Sequence, residues 1–556
     1  MPENHLSNPV ESAAPALALA AAATLLTACG GGGGAAPEDP PPVDGPPPTE
    51  AEASRFLMQS SMGASRSEIA RVVALGYEGW LDAQFALARS GTRWDWLKAH
   101  GYDAGRYKVT QEGFDSTAWR PLLSAPDTLR QRITLALSEI LVVAIDGLSS
   151  GGGWKSFSAA AYLDLLETHA FGNLRELLGA VSRSPAMSVF LTFRANTKAD
   201  AETGALPDEN YARELMQLFT IGLLELNADG THKLVGGQPR ETYGQADIGG
   251  LARVFTGWIP DHANDTGDTP DFQARPLVQS GWRYETGAKA FLGTTIAENT
   301  DAESCLGQAL DALFAHANVG PFWSRQLILR LVTSNPSPAY VGRVAAVFAN
   351  DGQGVRGNLK AVIKAILLDD EARDAARLSQ PGWGKLREPI LRVTAWARAC
   401  GVSSPSGAWA MGDTSDAASG LGQAPLRSPS VFNFYRPGYV PPNTAIASAG
   451  LGAPEFQITN ESSVVGFLNF FQLLLQGGVG DLRADYTALL ALADSGAGLV
   501  DEVGLLLCAG QLGSATRATI VGAVDAMPGG TDDARLNRVR AALMLVMASP
   551  ETLVQK

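Results

Sequence analysis

From about Ser54 to the end of the chain, apolar residues recur at spacings of three and four. That spacing places them on one face of an α-helix, where i, i+3, i+4 and i+7 lie together. Such stretches are Ser65–Leu87, Asp127–Val143, Ala159–Leu178, Glu209–Leu224, Ala246–Phe255, Asp301–His316, Val319–Val332, Ala339–Phe348, Val355–Ala376, Lys385–Ala399, Ser462–Leu475 and Arg535–Ala548. Strand-like runs are rare. Glu139–Ile145 is the best of them, and it could equally end a helix. The pattern predicts a mainly α fold, one large multi-helical domain with long irregular loops, and shows no period of 20–50 residues that would mark a solenoid.

The loops carry their own signals. Residues 259–285 are polar and turn-rich, and residues 401–460 are rich in Gly, Pro and Ser. Within the second, SPSVFNFYRPGYVPP sets aromatics among prolines. Aromatics at that density are costly to leave in water, so the loop is expected to pack on the helices and line a groove.

The first 53 residues read differently. Residues 13–28, AAPALALAAAATLLTA, form an apolar run of signal-peptide length, too short to span a bilayer comfortably. The run ends in Leu26-Thr27-Ala28-Cys29, which resembles a bacterial lipobox whose cysteine is lipidated. Gly30–Gly34 and AAPEDPPPVDGPPPTE follow, a composition that cannot pack and acts as a tether. No Lys or Arg precedes the apolar run, a departure from the usual signal peptide. The expected organisation is a leader over 1–29, a disordered Gly/Pro-rich linker over 30–53 and a helical domain over 54–556. Lipidation at Cys29 implies export, anchoring in the cell envelope and, with Gly30 after the cysteine, outer-membrane sorting in a Gram-negative cell.

Charge excludes one class of partner. Lys and Arg total 43 against 57 Asp and Glu, a formal charge of −14, and a general nucleic-acid binder needs the opposite balance. Four cysteines without a CxxC pair exclude a thiolate zinc site and a disulfide scaffold. Histidines occur without ligand spacing and HExxH is absent, so no metal site is expected. Walker A and GxGxxG strings are also absent, which leaves any cofactor open.

Three strings could carry chemistry. PDENYAREL (Pro207–Leu215) gathers Glu209, Asn210, Arg213 and Glu214. On a helix, Tyr211, Ala212, Leu215, Met216, Leu218, Phe219 and Leu223 share one face. Glu209, Asn210, Arg213, Glu214, Gln217 and Thr220 share the other. An amphipathic helix with a Glu209–Arg213 pair accounts for every letter. A cleft with Asn210 as binding group and Glu214 or Glu209 as acid/base uses the same letters. In HAFGNLRELL, Gly172 can close one helix and Asn173 cap the next, with Glu176 in capping-box position. His169 at that junction is the first histidine candidate for proton transfer, and His316 the second. Gly147-Leu148-Ser149-Ser150-Gly151 has the GxSxG spacing, but no helix signal follows it directly as a nucleophile elbow requires. Asp261, Asp265, Asp268 and Asp271 share a loop without EF-hand spacing.

These strings, with others, resemble the bacterial family known as domain of unknown function 1800. The resemblance runs through RFL…GYEGWLDAQF at Arg55–Phe85, HAFGNLRELL, ENYARELMQLFTIG, LARVFTGW at Leu251–Trp258, KAFLG at Lys289–Gly293, and HANVGPFWSRQLILRLVTSNPSPAYV at His316–Val341. It continues through GKLREPILR, PLRSPSVFNFYRPGY and MASPETLVQK. Where many relatives have a histidine before KxFLG, this chain has Tyr284. The family brings no general activity. It implies an exported protein, often encoded beside a second exported protein resembling the sulfatase superfamily, and hence shared work on an envelope or extracellular polymer. The polar and aromatic members of the strings extend the candidate site to Asn173, Arg175, Trp258, Arg325 and Arg387. Two functions follow as expectations. One is a hydrolase of an envelope polymer such as a polysaccharide, with Glu214 or Glu209 as acid/base, His169 as a second proton carrier, Arg213 and Arg175 orienting anions, and Trp258, Phe434 and Tyr435 stacking on sugars. The other is a non-enzymatic envelope binding or assembly protein working with the exported partner.

Overall fold

A computed structural model describes residues 46–262 and 267–556, which fall in one compact unit. The leader, Cys29, most of the tether and Asp265 lie outside the described residues. Helix begins earlier than Ser54. Thr49 accepts from the Glu52 backbone N–H while the Glu52 carboxylate accepts from Thr49, and this reciprocal cap starts a helix over Glu50–Ser60. Part of the stretch expected to be tether is therefore ordered.

Helices dominate, and four two-stranded pairs are all the extended structure among the described residues besides isolated bridges. The periodic stretches appear close to where the spacing puts them, at Arg66–Ala86, Ala302–Ala315, Val319–Leu331, Pro338–Ala349 and Glu461–Leu475. Several are subdivided. Ala159–Leu178 breaks into Lys155–His169 and Leu174–Ser182 at Gly172-Asn173. The Asn173 side chain accepts from the Arg175 backbone N–H, so the cap is present without the capping box to Glu176. Glu139 closes the helix Thr128–Ile140, and no strand follows it. Helices over Phe114–Ser124, Gly496–Cys508 and Ser514–Asp525 lie outside the stretches picked out by spacing.

Two large hydrophobic cores, and a small third one around Trp154, Phe157 and Phe272, hold the unit together. The larger gathers residues from Ala53 through Leu506, with Trp80, Tyr162, Tyr211, Trp258 and Trp323 all sealed. The smaller gathers Trp119, Trp396, Phe467 and the C-terminal helices. The helix Thr128–Ile140 serves both, giving Ile133 and Leu137 to the first and Leu135 to the second. Each large side chain sealed this way contributes about 1.5–3 kcal/mol. No helix among the described residues is long and apolar enough to cross a membrane.

Candidate functional site

The PDENYAREL helix is short. It runs α-helically only over Asn210–Glu214 and then widens into a π turn over Leu215–Thr220. The Ile221 N–H reaches back to the Met216 carbonyl, five residues away. The wider turn changes which side chains face in. Tyr211, Ala212, Leu215, Met216 and Phe219 are buried as the helical wheel requires, and Thr220 joins them. Leu218 is half-exposed and Leu223 is 55% exposed, against the expectation that both join the apolar face. They turn instead toward a groove.

That groove encloses about 1020 Å³, the largest of the described cavities. Three segments distant in sequence build it: Gln217–Gly222 from the π turn, Phe322, Arg325 and Gln326 from one face of the Val319–Leu331 helix, and Phe432 with Arg436–Val440 from the aromatic–proline loop. The loop does pack on the helices and line a groove. Gly222 sits at φ +72°, where only glycine is unstrained, and a Cβ there would meet the Phe322 ring at 3.2 Å. The π turn can therefore end flush against Phe322.

Polar groups along the groove are unequally satisfied. The Gln326 amide oxygen accepts from Arg330 at 2.7 Å. The Gln217 amide oxygen accepts a long bond from the Tyr243 hydroxyl at 3.4 Å. Arg436 lies over the Phe432 ring, 4.8 Å from its centroid, at the exposed rim. Arg325 is half-buried and has no hydrogen-bond or ion-pair partner among the described residues. Burial alone pulls its guanidinium below the ordinary value.

The other candidates are dispersed. Glu209 pairs with Arg213 at 3.1 Å and accepts twice from the Gln245 amide. The Asn210 amide donates to Thr192. Glu214 is nearly buried and accepts no hydrogen bond among the described residues; desolvation raises its carboxyl, with Arg213 opposing. His169 lines a separate cavity of about 430 Å³ with Trp94, Asp164 and Arg183. Burial lowers its imidazole, so the neutral form is favoured. Asn173 caps its helix, and Arg175 pairs with Asp311 at 2.7 Å. His316 accepts from the Asn318 backbone N–H.

Three candidates belong to the interior. Trp258 is fully buried, with its indole N–H donating to the Val254 carbonyl, and offers no ring face to a sugar. The Arg387 guanidinium donates to the carbonyls of Leu507, Thr552 and Leu391. Tyr435 is buried, with its hydroxyl donating to Glu139. Ser149 of the GxSxG string follows a 3₁₀ turn rather than a strand, and the elbow geometry is absent. Tyr284 donates to the Thr300 carbonyl and sits under the Lys289 ammonium. Among the described residues no cluster of three or more His, Cys, Asp or Glu is placed to hold a metal ion.

Behind the groove lies a sealed ionic cluster that the sequence reading missed. Lys385 is fully buried, 3.0 Å from Glu455 and 3.7 Å from Glu388. Arg330 lies 3.6 Å from Glu139. Glu139 and Glu388 share a hydrogen bond, which takes one proton between them. Burial and the Glu388 charge push Glu139 well up. Against its own desolvation, Lys385 and the bonds from Glu139 and Gln423 pull Glu388 down to about 2. Arg330, bonded to both Gln326 and the Glu139 backbone carbonyl, joins this cluster to the groove wall. The available signal was a lone carboxylate inside LSEILVVAI, together with Lys385 and Glu388 three apart in GKLREP.

The model of one family, described as protein of unknown function (DUF1800), matches residues 55–554. The chain belongs to the DUF1800 family. No curated protein and no solved structure matches it. The groove is thus built from three of the strings that carry the family resemblance.

Proposed function

We propose that this DUF1800 protein is an exported cell-envelope protein, lipid-anchored at Cys29, that works by binding an envelope component in the groove. The observation that carries this reading is the groove itself, apolar-walled, about 1020 Å³ in volume and lined by three segments distant in sequence. The apolar leader, the Leu26–Cys29 box and the Gly/Pro tether support export and anchoring, and outer-membrane sorting goes with them. Working beside a second exported protein fits a binding role. The test is retention of envelope extract on immobilised full-chain protein, compared with Leu223→Asp, which places an anion at an exposed groove residue without touching the core. Retention lost in the variant supports the reading; equal retention overturns it. Replacing Cys29 by Ser should release the protein from membranes, and continued membrane fractionation would count against the anchor.

A second reading, hydrolysis of an envelope polymer such as a polysaccharide, rests on Glu214. Its carboxyl is raised by desolvation and one turn from Gln217 at the groove wall, as a general acid requires. Under that reading Glu214→Gln abolishes turnover of an envelope polymer while the melting temperature holds. A variant as active as the parent removes Glu214 from any chemistry.

A further inference from the structure

The groove's walls and its one half-buried charge ask for different things from a ligand. The walls are hydrocarbon and aromatic, with Leu218, Ile221, Leu224, Phe322, Phe432 and Val440 among the lining residues. A volume of about 1020 Å³ is at the upper end for a small-molecule site and gives room for an extended alkyl chain. Arg325 enters this apolar space from the Val319–Leu331 helix, three residues after Phe322 and on the same face.

Elsewhere in the fold, most arginines taken out of water are answered, Arg194 and Arg392 excepted. Arg93 meets Glu167 and Asp164, Arg398 donates to the carbonyls of Pro121, Leu122 and Ala125, and Arg387 to three carbonyls of its own. Arg325 has no such answer among the described residues, and the other cation at the groove, Arg436, has a ring beneath it and no carboxylate. A half-buried guanidinium on an apolar wall has donors to spare, and a carboxylate matches its fork of donors with two parallel bonds.

Resting on the binding role proposed above, we infer that the groove takes an amphiphilic anion, a long-chain carboxylate whose head group pairs with Arg325 and whose hydrocarbon chain lies between Leu218, Phe322 and Phe432. The Gln217 amide N–H is free to donate to the second face of the head group. The Arg436 guanidinium at the rim adds a second favourable charge. The overall charge of −14 opposes approach of any anion, so affinity comes from contacts inside the groove rather than from the field of the whole protein.

The test uses full-chain protein carrying Cys29→Ser, so that no acyl chain of its own competes. The probe is 11-(dansylamino)undecanoic acid, followed by fluorescence, with its methyl ester as the uncharged counterpart. The acid is expected to bind saturably, and the ester about tenfold more weakly or worse, as loss of a charge-assisted pair implies. Arg325→Gln should bring the acid down to the ester's affinity and leave the ester unchanged, and Arg325→Lys should fall between. Melting temperatures of both variants should match the parent, because no protein group loses a partner. Equal binding of acid and ester, or an acid affinity untouched by Arg325→Gln, overturns the pairing. Displacement by dodecyl phosphate far better than by dodecanoate overturns the carboxylate in favour of a phosphate head. If envelope extract is retained in a Leu223-dependent way while the probe fails to bind, the groove reading stands and the ligand class falls. If retention ignores Leu223→Asp, the binding role itself falls.

Discussion

Arg387, just ahead of the Pro389–Ala399 helix, and Arg325, within Val319–Leu331, are arginines drawn from strings shared with the family; Arg387 is sealed and Arg325 half-buried. Arg387 ends in three carbonyls, including that of Leu507 near the close of the Gly496–Cys508 helix, where a cation offsets the helix dipole. Arg325 ends in an apolar groove with no protein acceptor among the described residues. Much of the sealed interior matches the charge it encloses, as the cluster of Lys385 and Arg330 with three carboxylates does. An unmatched charge survives where something from outside can complete it. Identical side chains from equally distinctive strings therefore point to opposite roles, and the discriminating fact is the partner rather than the residue type.

Four substitutions sharpen or break that contrast. Arg387→Ala is expected to cost most, about 3–4 kcal/mol, since it strands buried carbonyls and leaves a void. With an unfolding entropy of about 2.1 cal/mol/K per residue, a domain of this size loses about 1 °C per kcal/mol, so calorimetry should show a drop of about 3–4 °C. Next comes Glu139→Gln, read as melting temperature against pH. The folded Glu139 carboxyl is raised, so it holds a proton that the unfolded chain releases. Parent stability should then fall as pH rises above about 4.3 toward the folded value, by at most about 1.4 kcal/mol per pH unit. The variant should lack that fall. Glu388, lowered to about 2, works in the opposite sense: its stabilisation is present above about 4.3 and is lost as pH drops toward 2, in parent and variant alike. A variant whose pH profile matches the parent's would mean that the pair shares no proton. Glu209→Gln loosens a half-exposed i,i+4 pair and should cost only about 0.3–0.5 kcal/mol in urea unfolding. Arg325→Gln should change stability least, within about 0.5 kcal/mol and in either direction, because it breaks nothing in the protein. A large loss there would reveal a partner and remove the contrast.

Much of the fold was legible because helical spacing is a local property. Ser65–Leu87 became Arg66–Ala86, interrupted by a kink at Gly76 that the spacing did not show, and Gly172-Asn173 broke a helix where their chemistry said they would. The π turn was not legible. Its register depends on Phe322 and the Gly222 close approach, both tertiary, so Leu218 and Leu223 were placed on the wrong face. Site legibility followed the same line. Glu209 and Arg213 pair as spacing required, since i and i+4 are neighbours in any helix. Trp258 and Arg387 look in sequence like ligand-binding residues, and only packing shows that they are sealed. The groove was foreseen from the aromatics of 431–440 but not located, because its other walls come from segments more than one hundred residues away in the chain.

The π turn has a bearing on how this molecule tolerates change in length. A turn closed across five residues holds one residue more than an α-helix needs between the same anchors, Tyr211 in the core and Gly222 against Phe322. Deleting a single residue between Leu215 and Thr220 would let the segment relax into regular α-helix with its ends still in place. The groove wall would then be re-dealt within the turn, since the residues left between the two fixed anchors take up new positions around the helix. A change that leaves composition, charge and helix content almost untouched could thus exchange Gln217 and Leu218 for core-facing neighbours and erase the groove while sparing the fold.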